Sequence, residues 1–290
     1  MAFHIVAATD NNCVGPLSCM IKSLSVSNSH LIPVVHVLES DLTDANKTKL
    51  LAFSRRLGLR VQFTNIAAQQ FVEIDSHLAP GHISAASLYR CVMGSVLPGD
   101  IERVLYLDVD TLVLAPLDEL IGFDMKGKTA AVVRERMSHL SKYGVASDQY
   151  FNSGVMLIDL VEWRRQNIGE TALAHLRNAP DDMLWKDQCA LNLSLKDNTV
   201  SLEDRFNYME RDRPTHSSFM LPNILHFAGA AKPWTDPQSL PWGVVYCKVS
   251  ESTPWPVDYH AQQRSSEEIF RNKSWLRRRI IKTGRKLARI

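Results

Sequence analysis

Apolar and polar positions fall into alternating blocks along this 290-residue chain. Residues 3–9 are apolar and give way abruptly to Asp10 and Asn11, which reads as a buried strand ending in a loop. Residues 17–28 have helical character, and IPVVHVLE at 32–39 is a second strand. Ala45, Leu50, Phe53 and Leu57 recur at helical spacing within 43–58, with Thr43 as the N-cap. LRVQFTNI at 59–66 is a third strand, and 84–97 is helical up to Pro98-Gly99-Asp100. RVLYL at 103–107 is the fourth strand.

The second half is less regular. AAVVRE at 130–135 and YFNSGVMLIDL at 150–160 predict strands, the latter running straight into a helix that carries Trp163. Residues 182–195 predict a helix, and NILHFAG at 223–229 a short strand closed by a glycine turn. The Pro- and Trp-rich stretch from Lys232 to Pro256 reads as loop. Alternation of strands and helices predicts an α/β fold with a largely parallel sheet covered on both faces. Such sheets gather ligands at the carboxyl ends of their strands. Asp10 and Asn11 then share a rim with Asp108 and Asp110.

Composition narrows the classes. Apolar residues make up 45 % of the chain, enough for a large core. No run of eighteen uncharged apolar residues predicts a spanning helix, and MAFHIVAATDNN reads as a first strand and not a signal peptide. Five cysteines without CxxC spacing fit reduced thiols and a cytoplasmic protein. Nine Lys and Arg and no acid follow Glu268, leaving 24 bases against 31 acids, a net −7, for the rest. An acidic body with a basic end points to an anionic partner for that end alone, and not to nucleic acid. There is no GxSxG elbow, HExxH, Walker A loop or GxGxxG after the first strand.

The candidate chemistry centres on Asp108-Val109-Asp110, a DxD motif set in apolar sequence. Residues i and i+2 of a strand share a face, so both carboxylates can offer oxygen to one divalent cation, or simply mark a solvated strand end. No nearby Lys or Arg supplies an obvious counter-charge. His226 reads as a core histidine or as the imidazole of a mixed O/N site suited to Mn²⁺. Lys232, after a glycine turn, reads as a surface lysine or a phosphate contact. Asn152, Asp187, Gln188 and Arg90 are polar groups in or beside apolar segments, open to capping and ion-pair roles.

Seven blocks in order bring these residues together: AATDNN (7–12), HISAASLYR (82–90), VLYLDVDTLV (104–113), YFNSGVMLIDLVEWRR (150–165), KDQCALN (186–192), DRFNYM (204–209) and HFAGAAKPW (226–234). In these blocks the chain resembles glycosyltransferase family 8, in particular its bacterial lipooligosaccharide α-galactosyltransferase branch. The resemblance implies a GT-A-type nucleotide-diphospho-sugar transferase fold, with a mixed, mostly parallel sheet flanked by helices. It implies a retaining, Mn²⁺-dependent enzyme, with Mg²⁺ as an alternative ion, that uses a UDP-hexose donor. The metal ligands would be Asp108, Asp110 and His226. Ala7 and Asn11 would lie against uracil and ribose with backbone from Val109, and Gly229 and Lys232 would hold the diphosphate. Arg90, Asp108, Asn152, Asp187 and Gln188 would surround the donor sugar. Thr9 stands where that branch has Asp, which reshapes one nucleotide contact.

The reading is therefore a catalytic domain over 1–260 that moves galactose or glucose to a hydroxyl of a lipopolysaccharide or lipooligosaccharide acceptor. A glycogenin-like or storage-polysaccharide transferase, or a non-catalytic sugar-nucleotide binder, are the alternatives. Residues 261–290 form a separate tail. Trp275, Leu276, Ile280, Thr283, Leu287 and Ile290 would make one apolar stripe of a basic amphipathic helix, predicting peripheral attachment to the anionic inner face of the cytoplasmic membrane. Gly284 weakens that helix, and a solvated basic tail is the other reading.

Overall fold

A computed structural model of the chain describes residues 3–67, 71, 85–135, 137, 140–178, 186–210 and 222–259. The predicted tail helix, within 261–290, lies outside the described residues. Among the described residues ten strands follow in chain order: β1 (His4–Thr9), β2 (Val34–Glu39), β3 (Arg60–Asn65), β4 (Arg103–Leu107), β5 (Thr111–Val113), β6 (Ala130–Arg134), β7 (Phe151–Asp159), β8 (Thr199–Ser201), β9 (Tyr208–Met209) and β10 (Ile224–His226). The helices are α1 (Val14–Ser27), α2 (Asp44–Arg56), α3 (Tyr89–Val96), α4 (Asp118–Ile121), α5 (Leu160–Arg165), α6 (Ile168–Arg177), α7 (Lys186–Ser194) and α8 (Gly243–Ser250).

Seven strands form one sheet in the order β3-β2-β1-β4-β7-β6-β8. All of them share one direction except β7, which runs antiparallel to both β4 and β6. The period-two alternation of the strands divides the core between the two faces. Val6, Val104, Tyr106, Met156 and Ile158 pack beneath α3, α5, α6 and α7. Ile5, Ala7, Leu105, Leu107, Val155 and Leu157 pack against α1 and α2. Both faces are covered, as the near-continuous apolar strand sequences require. Thr43 caps α2 by accepting the Asn46 N–H at 3.3 Å.

Sheet direction decides what meets at the rim. The start of the reversed β7 lies beside the end of β4, on the rim where β1 also ends, and the Asp108 N–H donates to the Gly154 carbonyl at 2.8 Å. A second sheet, β5-β10-β9, closes over this rim. Its antiparallel pairing sets His226 opposite Thr111, and the Phe227 N–H donates to the Asp110 carbonyl at 3.0 Å.

Three expectations change. The stretch 232–256 is not all loop: it contains α8, whose Tyr246 packs with Leu225 and Phe227 and with Cys19 of α1. The helix α6 had no counterpart in the sequence pattern, and the helical reading of 84–97 divides into a 3₁₀ turn at Ala85–Leu88 followed by α3. All five cysteines are free thiols. Among the described residues no helix is long and apolar enough to cross a membrane.

Candidate active site

A cavity of about 610 Å³ opens at the rim where β1, β4 and β7 meet. On its floor, Asp108, Asp110 and His226 each offer one ligand atom, all within 4.8 Å of one another. His226 Nε2 stands 3.2 Å from Asp110 Oδ1 and 3.9 Å from Asp108 Oδ2. Gly154 makes this approach possible. A Cβ there would collide with His226 Cε1 and come within 2.7 Å of Asp108 Oδ2.

The acids do have counter-charges, supplied from far along the chain. Arg90 Nη2 and the Tyr106 hydroxyl both donate to Asp108 Oδ1, each at 2.8 Å. Lys232 Nζ donates to Asp110 Oδ2 at 2.6 Å and to the Phe227 carbonyl at 2.7 Å. Arg90 also approaches Asp187 at 3.5 Å and donates to the carbonyl and hydroxyl of Ser153. Burial works against the Arg90 charge, but Asp108, Tyr106 and Asp187 more than offset it and hold the guanidinium protonated. Burial would raise the Asp110 carboxyl, yet the His226 ring and the Lys232 ammonium keep it well below the usual carboxylate range. Asp187 is different: burial raises it, and Arg90 only partly compensates.

Two oxygens of the cavity lining are left over, Ser87 Oγ and Asp110 Oδ1. Asp110 Oδ1 is buried and accepts no hydrogen bond. It faces His226 Nε2, whose other ring nitrogen, Nδ1, is engaged by Asn207 Oδ1 at 2.8 Å. An unsatisfied carboxylate oxygen, a second carboxylate oxygen and an imidazole nitrogen converging on one point are the donor set of a hard to borderline divalent cation. The residues present fit such an ion.

Beside this cluster lies a wall of amides. Asn152 Nδ2 and the Ser153 N–H both donate to Gln188 Oε1, at 3.0 and 3.2 Å, and Gln188 Nε2 donates to the Tyr150 hydroxyl at 2.9 Å. Thr9, Val109 and Gly229 line the same cavity.

Two expected residues are placed differently. Ala7 turns its side chain into the core under α1 and α2, leaving only its main chain for a ligand. Asn11 Oδ1 is turned to the start of α2, accepting from the Thr43 N–H at 3.2 Å and from Asn46 Nδ2 at 2.9 Å. Ala8, Asp10 and Cys13 line the cavity at that end. Cys13 is no ready nucleophile, since burial and then Asp10 push its thiol up to about 12. Asn207, Gly154, Tyr106 and Tyr150 were not singled out from sequence, although all but one lie inside the seven blocks as unremarkable polar or small positions, and Tyr106 as one more apolar residue of a strand.

A family model for glycosyl transferase family 8 matches residues 4–238. The chain belongs to glycosyl transferase family 8. It is 29 % identical over 272 residues to General stress protein A of Bacillus subtilis (strain 168), covering 87 % of this chain and 94 % of that one. It is 25 % identical to the Lipopolysaccharide 1,2-glucosyltransferase of Escherichia coli (strain K12), covering 92 % and 82 %. Among solved structures, the galactosyltransferase LgtC in complex with donor and acceptor sugar analogs superposes with a TM-score of 0.78 at 26 % identity, over 87 % of this chain and 96 % of that one. The family 8 chain is thus a glycosyltransferase enzyme with a GT-A-type fold, as the resemblance implied.

Proposed function

We propose that this family 8 enzyme is a retaining hexosyltransferase that uses Mn²⁺ and moves galactose or glucose from a UDP-sugar to a hydroxyl of a lipopolysaccharide or lipooligosaccharide acceptor. The observation that carries the reading is the buried Asp110 Oδ1, left without a donor between His226 Nε2 and Asp108 in the floor of the cavity. Named relatives support the acceptor class: a Lipopolysaccharide 1,2-glucosyltransferase of Escherichia coli and a Lipopolysaccharide 1,3-galactosyltransferase of Salmonella typhimurium.

Asp108 Oδ2, Asp110 and His226 Nε2 would hold the ion. When bound, a divalent cation supplies charge stabilisation for a departing diphosphate. The chain's own residues arrange the rest. Arg90 and Tyr106 fix Asp108 through Oδ1, so that only Oδ2 is turned toward the cluster. Lys232 already bridges Asp110 and the 226–232 turn, and sets a cation next to Gly229 for a diphosphate oxygen. Arg90 and Asp187 form the polar side of the donor-sugar space, and Asp187, with its raised pKa, suits a hydrogen-bonding role toward sugar hydroxyls.

The state of Gln188 supports retention by attack on the same face of the sugar that the phosphate leaves. Its carbonyl oxygen already accepts two hydrogen bonds, so little electron density remains for it to act as a nucleophile. The leaving phosphate oxygen then takes the acceptor's proton. Residues 1–260 are the catalytic domain in this proposal, and 261–290 tether it to an anionic membrane surface. The test is a panel of UDP-sugars with and without Mn²⁺, scored by UDP release. Turnover of UDP-galactose or UDP-glucose only with the ion supports the reading; absence of both UDP binding and UDP-hexose hydrolysis overturns it. Flotation with anionic liposomes, lost on removal of 261–290, tests the tail.

A further inference from the structure

The polar groups behind the candidate metal cluster form one connected chain, and its orientation can be worked out from two backbone donors. Amide oxygens and nitrogens are interchangeable to a first approximation, so a network of them must be anchored by groups of known polarity. The Gly154 N–H donates at 3.0 Å to one end of the Asn152 amide, which identifies that end as Oδ1. The Asn207 atom 2.9 Å from the same Asn152 oxygen must therefore be the nitrogen, Nδ2. Its oxygen is then the atom 2.8 Å from His226 Nδ1, and the ring must carry a proton on Nδ1. At the other end, the Ser153 N–H identifies Gln188 Oε1, so the Asn152 nitrogen donates to it and Gln188 Nε2 donates to Tyr150. Asn207 is only 1 % exposed.

We infer that Asn207 is a positioning residue that fixes His226 with its proton on Nδ1 and its Nε2 toward Asp108 and Asp110, and that Asn207 and Asn152 join this histidine to Gln188 on the donor-sugar side. The inference deepens the metal-dependent reading above and rests on it for the role of Nε2. A ligating histidine is oriented, and its basicity raised, by the acceptor on its other nitrogen. Asn207 does this and, with its remaining donor, holds the Asn152 amide that in turn holds Gln188. One amide thus serves both halves of the site. Reversing any amide in the chain would set an N–H against a backbone N–H or an oxygen against an oxygen, so the arrangement has a single satisfied state.

Substitutions at 207 separate the two halves. Asn207→Leu removes both contacts. Asn207→Asp keeps an acceptor for Nδ1–H but faces Asn152 Oδ1 with a second oxygen. Titration with Mn²⁺ alone, following free ion by electron paramagnetic resonance, is expected to show about 10–100-fold weaker binding in Asn207→Leu. Asn207→Asp is expected to bind Mn²⁺ within a few-fold of wild type, while its kcat for UDP-sugar hydrolysis falls and its KM moves little. Wild-type affinity in Asn207→Leu, or equal loss of Mn²⁺ affinity in both variants, overturns the inference. A purely structural role would lower the melting temperature of both without this split. The nitrogen shifts of ¹⁵N-labelled His226, assigned by their loss in His226→Gln, need neither a metal nor a variant at 207. A protonated Nδ1 in the wild type supports the inference, and a non-protonated Nδ1 overturns it. Wild-type protein that shows the protonated Nδ1 but binds no divalent ion leaves the Asn207 contact standing and defeats the Mn²⁺ reading instead.

Discussion

Two clusters of buried polar groups lie in the same sheet and are built on opposite terms. On one side, His4 Nδ1 and His36 Nε2 meet at 2.9 Å, with stacked rings 5.2 Å apart, in β1 and β2. Each offers one ring nitrogen to the other. At the carboxyl rim, Asp108, Asp110 and His226 are equally well supported from behind by Arg90, Lys232 and Asn207, yet Asp110 Oδ1 has no donor. Burying a polar group costs free energy unless it is paired, so each unpaired buried oxygen calls for an explanation, and Ser87 Oγ and Glu210 Oε2 share that state with Asp110 Oδ1. What sets Asp110 apart is the second carboxylate and the imidazole that converge with it. That convergence tells the candidate site from the histidine pair, whereas burial and charge do not.

The largest effect that would test this contrast is at Gly154. Gly154→Ala drives a methyl group into the His226 ring and toward Asp108 Oδ2. Mn²⁺ affinity is expected to fall by about 100-fold or more with transfer lost alongside, measured by ion titration and UDP release. Asp110→Asn comes next. It removes the charge that faces His226 and Lys232, and a drop of about 100-fold in kcat/KM is expected, with a smaller loss of Mn²⁺-dependent UDP binding.

The histidine pair should respond to proton concentration and not to metal. Burial, and then the neighbouring His4, lower His36 from the usual histidine value to about 4. The folded protein therefore binds fewer protons than the unfolded chain between about pH 6.5 and 4. Stability is fully present above the unfolded value and is lost as pH falls toward 4. The melting temperature should decline across this window, and His36→Gln should flatten the decline, with Mn²⁺ affinity at pH 7.5 unchanged. The smallest effect is at Tyr150→Phe. It removes the acceptor of Gln188 Nε2 while leaving Gln188 Oε1 held by Asn152 and Ser153, so a loss of roughly 3–10-fold in kcat is expected with unchanged Mn²⁺ affinity.

Much of the large sheet was legible because β1, β2, β4, β6 and β7 are nearly unbroken apolar runs ended by polar or turn residues, while β3 shows alternation. The second sheet was less so. β5 and β10 have three residues each and β9 two, too few for a period to show. α8 was hidden because its eight residues follow Pro237 and Pro241 and precede Pro254. At the site, the acid pair could be found from its placement in apolar sequence, but not the groups that neutralise it. Arg90 lies 18 residues before Asp108, and Lys232 lies 122 after Asp110, and only the fold brings them within 2.8 and 2.6 Å. A polar residue after a strand can serve a ligand or the next helix, and the contacts of Asn11 Oδ1 with the start of α2 were not visible in the sequence. Asn207 could not be separated by type from any other loop asparagine, since its meaning lies in which end of its amide faces His226.

The reversal of β7 has an effect on how this enzyme can vary. A strand that starts at the rim delivers Asn152, Ser153 and Gly154 directly ahead of the Val155–Asp159 ladder with β4, with Gly154 tied to Asp108 by the main chain. A loop in that place would be free to lengthen, shorten or swing. The start of a paired strand is not, because a slip of one residue along Val155–Asp159 turns those side chains to the opposite face. The candidate metal cluster is thereby insulated from drift in the surrounding connections. Those connections can be rebuilt for a new sugar or a new acceptor while the reacting centre stays in register.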